Sequence, residues 1–132
     1  KVMKNAIEVE QLTKSYGDQL AVDNLCLSVD RGTVFGLLGA NGAGKSTTIE
    51  CILGTKKADK GVISILGLDP QTDRKKLFEK VGVQFQEANY QEKITVEELC
   101  EVTTSLYLEP ADYLDLLIKF GIENKKGSLV KD

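Results

Sequence analysis

The sequence has no histidine and no tryptophan, and it holds only two prolines, two arginines (Arg31 and Arg74) and three cysteines. Each shortage excludes something. Cys26, Cys51 and Cys100 are far apart and have no histidine beside them, so they offer no zinc-ligand spacing. Their odd number and wide separation fit reduced, buried thiols of a cytosolic protein. No apolar run approaches the roughly 18 residues of a membrane-spanning helix. The first ten residues, KVMKNAIEVE, lack an apolar centre and a small-residue cleavage site, so no secretory signal is expected. The net charge is −3 with acids and bases interspersed, which argues against a nucleic-acid surface. What remains is 132 residues, 42% hydrophobic, the size and composition of one globular domain.

Hydrophobic spacing gives the outline. Ala6 to Leu12 and Leu20 to Val29 alternate apolar and polar residues, as strands with one wet face do, and Asp30 to Gly32 reads as a turn. Thr33 to Leu38 (TVFGLL) is continuously apolar, predicting a parallel-type strand buried on both faces. Lys45 to Leu53 predicts a helix closed by Gly54. Val62 to Leu66 and Val81 to Phe85 predict strands, and Thr72 to Lys80 a short charged helix between them. Thr95 and Glu98 form a capping box, with Ile94 and Leu99 as a hydrophobic staple. Leu99, Val102, Thr103 and Leu106 then recur at helical spacing, as do Tyr113, Leu116, Leu117 and Phe120 before Gly121; both stripes are expected in the core. The order predicts an α/β domain with an antiparallel edge.

Between the apolar strand and the first helix lies GLLGANGAGKST. Gly39, Ala40, Asn41, Gly42, Ala43, Gly44, Lys45 and Ser46 satisfy G-x-x-x-x-G-K-[ST] at every defined position. A glycine-rich turn can match by chance, but here it stands between a buried strand and a helix start, where the mechanism needs it. Glycines let the backbone curl with its N–H groups inward, making a nest for a di- or triphosphate. The helix opening at Lys45 adds the positive end of its dipole. Lys45 would reach the β- and γ-phosphates, Ser46 would complete the Mg²⁺ shell, and Thr47 would touch the α-phosphate.

Two flanking segments narrow the class. LTKSYGDQLAV (Leu12 to Val22) precedes the loop and VGVQFQEANYQEKITVEE (Val81 to Glu98) follows it. Together with GLLGANGAGKST they resemble the first half of the nucleotide-binding subunit of an ATP-binding cassette (ABC) transporter, over essentially the whole chain. That resemblance implies a RecA-like P-loop NTPase core with an N-terminal antiparallel β-subdomain (1–94) and the start of a helical subdomain (95–132). It implies that Tyr16 stacks on adenine with Val22 packed nearby; read alone, a tyrosine between strands is more often core or surface than a ligand platform. It assigns Gln86 to Mg²⁺, the attacking water and the membrane partner, although QFQE also offers Gln84. It further implies ATP and Mg²⁺ as ligands, a transmembrane permease subunit and a second nucleotide-binding domain as partners, and a place on the inner face of the membrane. The stretch from Leu38 to Pro70 looks most like the bacterial multidrug and export-type subfamily.

The departures matter too. The chain has no LSGGQ-type signature, no apolar strand ending in Asp-Glu and no switch histidine. The expectation is therefore the N-terminal part of a longer ATPase subunit, with little hydrolysis of its own and with strand edges free to associate into oligomers. The alternative is a nucleotide-binding or interaction module without turnover. A GTPase would need N-K-x-D, where Glu123 to Gly127 (ENKKG) has glycine. A small-molecule kinase would need an arginine-rich lid, which two arginines do not supply.

Overall fold

The computed structural model describes residues 4–39, 44–84 and 92–131. It divides into two compact units, Lys1–Leu77 and Phe78–Asp132.

The first unit is built on a three-stranded antiparallel sheet in the order β2-β1-β3, with β1 at Asn5–Tyr16, β2 at Gln19–Asp30 and β3 at Lys60–Ile65. Ile7 pairs with Val29 and Ile65, and Val9 with Leu27 and Ile63, so apolar side chains collect on one face. The alternation in β1 breaks between Val9 and Leu12. Both are buried although three positions apart, because the strand bulges at Gln11 (φ 52°), whose amide donates to Cys26 Sγ on β2 at 3.2 Å. Val9, Leu12 and Val22 form the core with Cys51 from helix α1, Lys45–Leu53. Gly54 ends α1 in the left-handed conformation (φ 78°), as its sequence position predicts. Arg74 Nη1 and Gln71 Nε2 then donate to the Leu53 and Gly54 carbonyls at 2.8 and 2.9 Å, tying the helix end to the segment after β3.

The expected strand at Thr33–Leu38 does not form. Those residues are irregular, with Val34 and Leu38 almost wholly exposed. A parallel strand needs hydrogen-bonding neighbours and covered faces. Among the described residues of this unit, no strand of the sheet pairs with this segment.

In the second unit, 81–84 is likewise irregular rather than strand, and Phe85 lies outside the described residues. The helix expected over 72–80 shortens to α2, Arg74–Phe78, which begins in the first unit. Helix α3, Val96–Thr104, starts at the predicted capping box. The Glu98 N–H donates to Thr95 Oγ1 at 3.2 Å, and the Thr95 N–H donates to Glu98 Oε1 at 3.2 Å. Carbonyls of Ser128 and Lys126 take the Val96 and Glu97 amides at 3.0 and 2.9 Å, leaving that helix start well satisfied. Replacing Thr95 by alanine is expected to cost about 1 kcal/mol, read as a lower urea midpoint of the helical signal. Helix α4, Tyr113–Lys119, is capped by Asp112 and buries Leu117. The rest of the apolar stripes departs from the expected core, since Val102, Leu106 and Phe120 are mostly exposed.

The cysteines also differ from expectation. Only Cys51 is buried; Cys26 is exposed and Cys100 half-buried. Burial raises the Cys51 thiol above its ordinary range, so it stays a neutral core side chain at pH 7.

Candidate functional site

Helix α1 begins differently from α3. Its cap is Gly44, at φ 86°, ψ 7°, which offers no side-chain hydrogen bond, and its first turn has no acidic residue. The Gly44 carbonyl accepts from both the amide and the hydroxyl of Thr48, at 2.9 and 2.7 Å, which fixes the turn. No other residue fits there. A Cβ at Gly44 would run into the Ala21 carbonyl oxygen and approach Val22 Cγ2 at 3.5 Å, in a backbone conformation side chains avoid. The result is a helix start with no side-chain cap, whose positive dipole end is not offset by a nearby acid.

This start opens onto a pocket of about 410 Å³ lined by Gly44, Lys45, Ser46 and Thr47 on one side and Tyr16, Gln19, Leu20 and Ala21 on the other. Its volume is in the range of small-molecule sites. The second side is the tip of the β1–β2 hairpin, where Tyr16 pairs with Gln19 across the two-residue loop Gly17-Asp18 and Gly17 takes φ 58°. Tyr16 is 45% exposed, so an aromatic face is available beside the helix start.

A polar cluster braces the tip. Asp59 accepts hydrogen bonds at Oδ2 from the Ser15 amide (2.8 Å) and hydroxyl (3.0 Å), and its Oδ1 lies 3.6 Å from Lys14 Nζ. Those Ser15 hydrogen bonds, followed by the Lys14 charge, hold the Asp59 carboxyl below the usual carboxylate range. The folded pKa is depressed, so the bracing is complete above the ordinary carboxylate value and is lost as pH falls through the lowered one. Neutral and mildly acidic solutions should leave the tip equally ordered, a constancy that amide chemical shifts of Ser15 and Tyr16 would register between pH 7 and 5.

Of the residues singled out by sequence, Tyr16, Gly44, Lys45, Ser46 and Thr47 line this one pocket. Val22 lies beneath it in the core, 6% exposed, rather than in the lining. Gly39 is exposed on the irregular segment before the loop. Ala40, Asn41, Gly42, Ala43 and Gln86 lie outside the described residues. Gln19, Leu20 and Ala21 were not anticipated; the signal was the Gly-Asp pair between two alternating runs, which predicts a hairpin and so sets Gln19 opposite Tyr16. A larger pocket of about 910 Å³ lies in the second unit among Glu79, Lys80, Leu99, Cys100, Tyr107 and Tyr113. Burial raises its thiol, and burial with the nearby Glu101 and Glu97 charges raises the Tyr113 phenol. Both stay neutral at pH 7, and among the described residues the pocket lining contains no glycine.

A glycine-capped helix start carrying Lys45, Ser46 and Thr47 thus faces an aromatic hairpin tip across one pocket. The family model described as ABC transporter matches residues 22–132, and the chain belongs to that family. It is 46% identical over 133 aligned positions to the Nod factor export ATP-binding protein I of Rhizobium meliloti, an alignment covering 96% of this chain and 39% of that protein. It is 36% identical over 104 positions to the probable multidrug ABC transporter ATP-binding protein YbhF of Escherichia coli (strain K12), covering 79% of this chain and 18% of that one. A solved ATP binding subunit of an ABC transporter superposes with a TM-score of 0.83 at 31% identity, covering 94% of this chain and 54% of the other. The chain thus has the α/β fold of these subunits, beginning with their antiparallel sheet, and it spans less than two fifths of either curated relative.

Proposed function

We propose that this chain binds Mg·ATP as the nucleotide-binding part of an ABC transporter ATPase that couples hydrolysis to transport across a membrane. One observation carries the reading: the P-loop helix start and the Tyr16 hairpin tip line a single pocket. The phosphates lie against the backbone from Gly39 through Ala40, Asn41, Gly42 and Ala43 to Gly44, with Lys45 on the terminal phosphates and Thr47 on the α-phosphate. The fit of the site is carried by Gly44, where any side chain would run into the Ala21 carbonyl on the facing wall of the pocket. The Ser46 hydroxyl and Gln86 would hold Mg²⁺, which would supply positive charge to offset that of the phosphates. The base stacks on Tyr16, with Val22 packed under the loop.

The transmembrane permease, a second nucleotide-binding domain, peripheral attachment at the cytoplasmic face of the membrane, self-association through open strand edges, and division into a 1–94 core and a 95–132 helical part all belong to this reading. No nucleic-acid role is included. Two of the similar proteins are named for Nod factor export and multidrug transport, which favours an export-type parent. These 132 residues contain no signature run, no Asp-Glu strand and no histidine, so they should bind nucleotide with almost no turnover. Calorimetry with Mg·ATP, ADP and GTP on the chain and on Tyr16→Ala tests the reading. Tyr16→Ala is expected to weaken Mg·ATP by about 1 kcal/mol, roughly fivefold in Kd. Unchanged affinity in Tyr16→Ala would remove the base platform from the proposal.

A further inference from the structure

The hairpin that carries the base side of the pocket outruns its support. The last pair between β1 and β3 is Thr13 with Lys60, so Lys14, Ser15 and Tyr16 pair only with β2. On the β3 side they are held by Asp59 alone among the described contacts. Its amide donates to the Thr13 carbonyl at 2.9 Å, and its carboxylate takes Ser15 and Lys14 as described above. Lys14 faces a second group as well. Its Nζ lies over the Tyr16 ring, 5.4 Å from the centroid, and its side chain is only 16% exposed. Lysine side chains usually stay mobile in water; this one is fixed between a carboxylate and an aromatic ring.

We propose that Asp59 and Lys14 are positioning residues for base recognition: Asp59 holds Lys14 against one face of Tyr16, which fixes the ring and leaves its opposite face for the base. This rests on the nucleotide reading above, and it concerns the base half of the pocket only. A cation on one face also draws on the same ring quadrupole that a stacked heterocycle meets, so the ring is set both in place and in electron density. Neither residue lies in the G-x-x-x-x-G-K-[ST] segment, so the phosphate half should be indifferent to them.

The test is calorimetry of the whole chain with two probes, Mg·ATP and magnesium tripolyphosphate, on Asp59→Asn, Lys14→Met and Lys14→Arg. Asp59→Asn and Lys14→Met are expected to weaken Mg·ATP by about three- to tenfold while leaving tripolyphosphate within about twofold of the parent chain. Lys14→Arg keeps the cation and should retain ATP affinity within about twofold. Loss of both probes in equal measure would mean a general structural effect and overturn the proposal, as would unchanged ATP binding in Asp59→Asn and Lys14→Met. A parent chain that binds tripolyphosphate as tightly as ATP leaves the phosphate cradle standing but removes the base platform on Tyr16, and this inference with it. A parent chain that binds neither probe removes the nucleotide reading, and this one with it.

Discussion

Calorimetry of Lys45→Ala with Mg·ATP is expected to show a Kd raised roughly 10- to 100-fold, or about 1.5–3 kcal/mol, the range for hydrogen bonds to a charged partner. Among the described residues, Lys45 is the one cation lining the pocket, half-buried at the first position of α1. The backbone amides of the turn supply partial charges that survive the substitution, so the site should be weakened rather than erased. The fold should not suffer, because an alanine at a helix start keeps the backbone and removes no core contact. Equal affinity in both proteins would show that the anion is held elsewhere, and the P-loop assignment would fall with it.

The second large effect lies in the sheet. Gly61 sits at φ 103° in β3, and a Cβ there would come within 2.6 to 2.8 Å of the Gln11 and Glu10 carbonyl oxygens and the Gln11 carbonyl carbon. These atoms belong to the bulge of β1, and backbone cannot swing aside as a side-chain tip does. Gly61→Ala should therefore cost roughly 2–5 kcal/mol, adding conformational strain to overpacking. That is a large share of a small domain's stability of about 5–15 kcal/mol. Gly32 provides the control, with a similar positive φ of 74° but nothing within 4 Å of its Cβ position. Gly32→Ala should cost only about 1–2 kcal/mol. Urea midpoints of the two variants separate clash from strain, and equal losses would show that crowding against the bulge is unimportant.

How much of this was legible beforehand follows the physics of each element. Lys45–Leu53, its Gly54 stop and the Thr95 capping box were readable because local chemistry decides them. The G-x-x-x-x-G-K-[ST] run stands out because a backbone anion site dictates glycine at fixed spacing, and of that run the described residues Gly44 to Ser46 line the pocket. Thr33–Leu38 was misread because a continuously apolar run becomes a buried strand only if other strands flank it, and its own residues cannot say whether they do. The bulge at Gln11 escaped notice for a similar reason: the step of three from Val9 to Leu12 was visible, but its resolution depends on Cys26 and Gly61 from other strands. Asp59 could not be singled out at all. A lone aspartate before a strand is ordinary, and its importance arises only when β3 lands beside Ser15.

The order of pairing in the sheet has a thermal consequence. β1 meets β2 through a two-residue loop, yet Thr13 and Lys60, its pair with β3 that is nearest in sequence, are 47 positions apart. Joining those ends costs chain entropy that grows with the length enclosed, and the enclosed length contains the P-loop and all of α1. A bound anion that straps the middle of this circuit binds the folded chain and not the loose one, so it must delay melting of strands it never touches.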